Sequence, residues 1–330
     1  DLVMSRDQEQ LVDEASRLLA DRFPIARLRA KTEGPAPDTL ADALLDAGWL
    51  SVAAPEDVGG AGLGVVEEAL LFQAFGRYLS PPSVLATTLA IHGAHHAGER
   101  DLAARIAQGQ TRVAFAQATS KAGSFLVFEL ERAEVVLAAD AAGVTGIYAR
   151  DDLRAVTPHE SAVDGVRLHR LEFPANAIVR CADEALALRA RLLSAALLAG
   201  LCAAARDLAA DYAKMRVQFG RPIGAFQAIK HKCADLALNA DAASAIVNFG
   251  AAALAEGQAQ AGYMITAAKL LAARNAIASG KECIQVHGAI GWTVECDAHH
   301  FLKRAHLYDQ ICGSTPQQQA FLMSMPAPLS

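Results

Sequence analysis

Apolar residues recur at helical spacing along most of the chain and at strand spacing only in its middle part. In residues 5–31, Leu11, Ala15, Leu18, Leu19 and Phe23 fall three or four positions apart among charged residues, which predicts an amphipathic opening helix. Gly34-Pro35-Ala36-Pro37 ends it. A short helix is expected at 38–48 on Leu40, Leu44 and Leu45, then helices at 65–80 and 84–97 separated by Pro81-Pro82, and one more at 101–108. From Arg112 to about Val179 the rhythm changes. The runs VAFAQ, FLVFELE, AEVVLAA, GVTGIYA and VDGVRLHRLEF, punctuated by Gly123, Gly143, Gly146 and Gly165, predict a small β-module. Beyond Ala182 helical spacing returns, with long helices near 183–216, 223–256 and 259–289 and shorter ones near 296–312 and 316–324. The expected architecture is therefore α+β and mostly α: an N-terminal helical domain over 1–111, a reduced β-domain over 112–180, and a C-terminal helical bundle over 181–330.

Composition sharpens this. Hydrophobic residues make up 53% of the chain but aromatics only 6%, so the core has to be built from Ala, Leu, Val and Ile, which favours helices packed closely through small residues. A net charge of −6 and a pI near 5.9 give no clustered basic face, so nucleic acid is not an expected partner and any anionic ligand must be met locally. The six cysteines are scattered without a CxxC pair, which fits a reducing, cytoplasmic compartment. The charged start DLVMSRDQEQLVDEA lacks the apolar stretch of a secretory signal. Apolar runs such as Leu192–Ala205 fall short of the ~20 residues a membrane span needs and read as buried helix.

Several stretches invite a chemical reading. Gly59, Gly60, Gly62 and Gly64 suggest a phosphate loop, but no strand precedes them and no Lys-Ser/Thr follows, so a plain turn is expected. His299 and His300, with Cys296, Asp297 and His287 nearby, suggest a metal site. They fall at a helix start without the tight ligand pairs of zinc sites, and no metal is expected. Trp49 and Trp292 read as core or interface packing. The most informative stretch is Tyr212–Asp235, YAKMRVQFGRPIGAFQAIKHKCAD. Phe219-Gly220, Arg221-Pro222 and Gly224 break a long helical pattern, and Phe226, Ile229, Cys233 and Leu236 resume it. Such a basic, aromatic corner between two helices can receive an anion, or it can be a helix–helix turn with a solvated Arg pair.

Helical block, β-module, then a long helical block around RVQFGRPIGAFQAIKH resembles the acyl-CoA dehydrogenase family. Three segments carry the likeness: PEDVGGAGL at 55–63, RVQFGRPIGAFQAIKHKCADL at 216–236, and QVHGAIGW at 285–292 followed by ECDAHHFLKRA at 295–305. The third is closest to the bacterial branch that works on bulky or steroid-derived thioesters. The resemblance implies α,β-dehydrogenation of a CoA thioester, with a glutamate taking the α-proton and FAD taking the β-hydride. It also implies that the ADP half of one subunit's FAD is gripped by its neighbour. By resemblance, Arg216 faces the pyrophosphate, Gln218, Phe219 and Phe226 line the nucleotide end, and Gln227 hydrogen-bonds it. Gln285 and the backbone of Val286, Gly288 and Ala289 flank the pyrophosphate and ribose, with Ala289 standing where a second glycine is usual.

The catalytic glutamate is missing. Its two family positions correspond here to Gly313, or its neighbour Cys312, in the loop after the C-terminal helix, and to Ala190 just before Arg191. Glu184 and Asp309 are the nearest acids, and both read as solvated surface groups. Cys312 reads as a buried thiol. In the β-module, Gln117-Ala118-Thr119-Ser120-Lys121-Ala122-Gly123-Ser124 replaces the family's Thr-Glu-Pro-Gly-Ala-Gly-Ser-Asp type segment, and no Trp-Ile-Thr segment follows. The expectation is a non-catalytic subunit that shares FAD with a homologous catalytic partner in an α2β2 assembly. The partner would hold most of the acyl-CoA, and electron-transfer flavoprotein is a further expected partner. Two alternatives stay open: a homomeric dehydrogenase with Glu184 or Asp309 as a displaced base, and a scaffold with no nucleotide contact.

Overall fold

Helices dominate the computed structural model, which describes residues 3–29, 39–121, 123–174, 176–181 and 183–326. The first helix, α1, is Arg6–Arg22, started by a capping box in which Ser5 and Gln8 satisfy each other's backbone amides. It is shorter than its periodicity predicts. Pro24 disfavours helix at Phe23 and has no amide to donate, so the chain turns there into a separate 3-10 turn, Ile25–Arg29. The Gly34–Pro37 break lies outside the described residues. Next come α2, Leu40–Asp46, α3, Val65–Arg77, α4, Pro82–His96, and α5, Arg100–Ala107. The glycine-rich stretch before α3 is a turn, as expected. Gly60 is required there because a Cβ would stand 2.0 Å from the Ala54 carbonyl oxygen.

The middle of the chain forms a seven-stranded sheet: β1, Val113–Ala118; β2, Phe125–Phe128; β3, Val135–Ala139; β4, Val144–Ala149; β5, Arg154–His159; β6, Leu168–Glu172; and β7, Val179–Arg180. The order is β5-β6-β2-β1-β3-β4-β7, with β1 and β3 parallel and every other pair antiparallel. The five apolar runs all contribute strands. The two strands without an apolar run are the edges. β5 is exposed along its whole length and carries Pro158, and β7 has two residues, so neither shows a buried alternation. Alternate residues face opposite ways: Val113, Phe115, Val135 and Leu137 join the main core, while Ala114, Ala116, Val136 and Ala138 join a small second core with Leu171.

The C-terminal block comprises α6, Glu184–Met215, α7, Gln227–Ala255, α8, Ala261–His287, α9, Ala298–Gln310, and α10, Thr315–Ser324. The axis of the fold is α6, which packs on α3, α4, α7, α8 and α9. Asp183 caps it by accepting from the amides of Ala185 and Leu186. By length and composition α6 and α7 could each cross a membrane, but 78% of the most apolar window of α6 is buried within the protein, against 39% for α7. Where α3 crosses α6, Gly76 and Gly200 let the backbones touch: a Cβ would stand 2.1 Å from the Leu197 oxygen or 1.8 Å from the Gln73 oxygen. We therefore expect Gly200→Ala to destabilise the chain by about 1–3 kcal/mol through overpacking, read as a lower urea midpoint.

Candidate functional site

The corner after α6 is a tight hairpin. Arg216 caps α6, its amide donating to the Tyr212 carbonyl at 2.9 Å, and its own carbonyl accepts from the Ile223 amide at 2.8 Å. Between them β8, Val217–Gln218, pairs with β9, Arg221–Pro222. The two turn residues, Phe219 at φ +53° and Gly220 at φ +77°, are both left-handed, as a two-residue hairpin requires. Holding a phenylalanine in that region costs about 1 kcal/mol or more, and it leaves the Phe219 ring 92% exposed. Phe226 meets that ring edge-on at 6.0 Å and lies 4.3 Å below the Arg221 guanidinium. The Gln218 amide folds back to donate to the Val217 carbonyl, and Gln227 opens α7 on the surface.

The second segment joins this corner through one ring stack. Tyr212, one turn before Arg216, stacks on His287 at 4.2 Å, and the His287 Nδ1–H donates to the Cys283 carbonyl at 2.7 Å. Burial lowers the pKa of His287. Gly288 then ends α8 at φ +67°, ψ −143°, a backbone region reserved for glycine, and the space a Cβ would take there is open. Gln285 and Ala289 are exposed on either side, whereas the Val286 side chain belongs to the core, so only its backbone can reach a ligand. Lys232 on α7 and Glu282 on α8 pair at 2.6 Å. Among the described residues the side chains of Arg216, Gln227 and Gln285 make no hydrogen bond or ion pair. Exposed apolar residues accompany them: Met215, Val217, Ile290, Trp292 and Val294. Trp292, 69% exposed, therefore has no core role.

Neither position expected for the base is open. Ala190 is fully buried in α6. Gly313 is buried at φ +102°, and a Cβ would stand 2.3 Å from Gln318 Nε2 and 3.1 Å from the Ala141 carbonyl oxygen. The loop around it is closed by hydrogen bonds. The Cys312 amide donates to Gln117 Oε1 at 2.9 Å, and the Gln318 amide donates to the Cys312 carbonyl at 2.8 Å. The Cys312 thiol is 1% exposed and burial pushes its pKa up to about 11, so it is an inert buried group, as expected. Asp309 corrects the sequence reading. It is not solvated but 6% exposed, and it accepts from the Thr315 amide at 2.9 Å and the Thr315 hydroxyl at 2.7 Å. Glu184, by contrast, is exposed in the first turn of α6.

Three buried charges near these positions carry no sequence signal. Lys269 on α8 is fully buried beside Cys312, Asp309 and Arg191, and its ammonium donates to the Tyr308 carbonyl at 2.5 Å; desolvation lowers its pKa to about 8. Arg191, its pKa also lowered by burial, donates to the Ala142 carbonyl and lies 4.7 Å from the Phe321 ring centre. Glu68 on α3 is 2% exposed and meets His92 Nε2 at 2.8 Å as well as Arg189. Burial raises its pKa, but the fields of His92 and Arg189 reverse this and leave it lowered. Glu68, His92 and Arg189 come from three different helices, α3, α4 and α6, whereas Arg191 reaches the Ala142 carbonyl in the turn between β3 and β4.

The chain matches the family description "Acyl-CoA dehydrogenase, N-terminal domain" over residues 5–111 and "Acyl-CoA dehydrogenase, C-terminal domain" over residues 179–322. It is similar to the acyl-CoA dehydrogenase IpdE2 of Mycobacterium tuberculosis, 34% identical over 81% of this chain and 80% of that one. The same-named protein of Mycolicibacterium smegmatis is 29% identical over 96% and 97%. Among solved structures, a chain of the ChsE4-ChsE5 complex from Mycobacterium tuberculosis superposes with a TM-score of 0.81 at 23% identity, covering 99% of this chain and 100% of that one. A variant of the Tcur3481-Tcur3483 steroid ACAD superposes at 0.79 and 24% identity, covering 96% of each. The fold and the corner thus define an acyl-CoA dehydrogenase-type chain. This protein belongs to the acyl-CoA dehydrogenase family.

Solved proteins of this fold include FAD-binding flavoproteins. The corner fits the phosphate and nucleotide end of such a group, because it offers an exposed cation, two side-chain amides and the open Gly288 backbone. The flavin-ring end fits poorly. The Gln117 amide oxygen is engaged by Cys312, and Thr119 Oγ1 closes its own loop onto the Ser124 carbonyl at 3.0 Å. Ala122 of that loop lies outside the described residues.

Lys269 yields a pH prediction. Its folded-state pKa of about 8 lies below the 10.5 of an unfolded lysine, so between those values the unfolded chain binds more protons and stability rises with pH. Wild type should therefore gain about 3 kcal/mol relative to Lys269→Met across that window. Parallel urea melts of the two proteins at pH 7.5 and pH 10 measure the difference.

Proposed function

We propose that this chain is a subunit of an FAD-dependent acyl-CoA dehydrogenase that carries no base of its own and completes the cofactor site of a homologous catalytic partner. The observation that supports this most is Gly313. No carboxylate stands there or at Ala190, and the Gln318 amide with the Ala141 carbonyl fills the direction in which a side chain would leave. Taking a proton from the carbon next to a thioester needs a tuned base held over that carbon. Asp309, bound to Thr315, and Glu184, on the surface, do not meet that need.

When bound, the flavin supplies the hydride acceptor. The part assigned to this chain is binding and orientation. Arg216 neutralises the pyrophosphate through charge-assisted hydrogen bonds. Gln218, Gln227 and Gln285 supply amides, Phe219 and Phe226 pack the nucleotide end, and the backbone from Val286 through Gly288 to Ala289 lines the approach. The exposed apolar collar of Met215, Val217, Ile290, Trp292 and Val294 would be covered by the partner. An α2β2 assembly follows, with the acyl-CoA, steroid-derived by likeness to the bulky-substrate branch, held mainly by the partner. Electron-transfer flavoprotein would collect the electrons, in the cytoplasm.

Purified alone, the chain should be colourless and inactive toward acyl-CoA thioesters, and stoichiometric flavin absorbance with turnover would overturn the reading. In the reconstituted complex, Arg216→Ala should weaken FAD binding roughly 10- to 100-fold, the loss expected for one charged hydrogen-bonding partner. Undiminished flavin occupancy would mean that the corner makes no nucleotide contact. Gly313→Glu should yield no activity and a lower melting temperature.

A further inference from the structure

Asp164, His299 and His300 meet where the connection between β5 and β6 packs on the start of α9. Asp164 lies between β5 and β6; the histidines are the second and third residues of α9, with His300 136 positions further along the chain. Their ligating atoms all lie within 4.8 Å of one another. Asp164 Oδ2 is 3.0 Å from His300 Nδ1 and 3.9 Å from His299 Nδ1. Ligand atoms about 2.0–2.1 Å from one tetrahedral ion stand roughly 3.3 Å apart, so these separations bracket what a shared ion requires.

The protonation pattern points the same way. Both imidazoles are buried, at 8% and 4% exposure. The His299 ring hydrogen-bonds the Thr293 backbone, while its Nδ1 has no partner. A ring nitrogen facing a carbonyl carries the hydrogen, so in the neutral ring Nδ1 is a bare lone pair directed at a carboxylate. His299 Nδ1 is thus an orphaned buried acceptor beside a carboxylate whose Oδ2 is held by Lys303 Nζ and His300 Nδ1, and a metal cation in place of the lysine would satisfy both. The Thr293 bond also fixes the ring as outer-shell bonds do around metals. Lys303 Nζ, 2.7 Å from Asp164 Oδ2, supplies the counter-charge here. At 39% exposure and on a four-carbon stem, it is free to turn into solvent.

We propose that Asp164, His299 and His300 form a site for one borderline divalent transition-metal ion, held by a carboxylate oxygen and two imidazole nitrogens, with water completing the shell. Imidazole with a single carboxylate selects Zn2+ and its neighbours over Mg2+ or Ca2+. The ion ties the sheet connection to α9, which Arg304 already joins by donating to the Asp164 carbonyl at 3.3 Å.

The test uses the full chain, with any subunit that co-purifies, stripped by chelator and titrated with ZnCl2 in a calorimeter and with Co2+ by visible absorption. One equivalent should bind, and Zn2+ at 100 times its Kd should raise the melting temperature by roughly 5 °C. Asp164→Asn and His299→Gln should each weaken binding at least 10-fold, and Lys303→Met, which removes the competing cation, should tighten it. Affinity unchanged in Asp164→Asn and His299→Gln would place the ion elsewhere and overturn the proposal. Should those variants not fold, the Co2+ spectra of wild type and Lys303→Met decide: intense bands at one equivalent, reached at lower Co2+ in Lys303→Met, support the site, and their absence in both overturns it.

Discussion

Everything in this chain is hung on the burial of α6. The helix can lie at the centre only because it is lined with alanine, leucine and one critically placed glycine, Gly200, which admits the backbone of α3 as Gly76 does in return. Close packing of small residues recovers in dispersion and excluded water what a core short of aromatics lacks. The same helix then distributes function along its length. Its first turns carry Arg189 against Glu68 of α3 and His92 of α4 and Arg191 against α8 and the turn after β3, and its end delivers Tyr212 and Arg216 to the surface corner.

Two consequences follow from that geometry. The corner is preorganised, because α6 and α8 are locked together and the Tyr212–His287 stack brings Arg216 and Gln285 to one end of the bundle. The opposite region is sealed. Gln117, Cys312, Gln318 and Asp309 are tied to one another or to their neighbours by hydrogen bonds, with Gln318 Oε1 and Arg191 Nε left unpartnered, and buried Lys269 and Arg191 bond to carbonyls rather than to an acid.

The elements were largely visible in the pattern of apolar positions, since helical and strand periods differ and the core faces are strongly apolar. Misses occurred where that signal fades. Pro24 cut the first helix short although the apolar spacing continued past it, and edge strands β5 and β7 lacked a buried face to alternate against. The break between α6 and α7 was legible because Phe219-Gly220 and Arg221-Pro222 interrupt the helical spacing within one short stretch. Asp309 was misread because nothing local distinguishes a solvated aspartate from one that folds back to Thr315.

By itself the sequence determined the change from helical to strand spacing and back, the family, the break between two helices at 219–224 and the lack of a carboxylate at positions 190 and 313, because each rests on residue identity or on spacing within one element. Only the tertiary structure decided which charges are buried and with whom: Glu68 with His92 and Arg189, Lys269 against Tyr308, Asp164 between His299, His300 and Lys303. The physical reason is that burial and pairing depend on separate elements that approach across 24 to 139 positions of chain. A periodicity that places a residue on a face does not say what that face will meet.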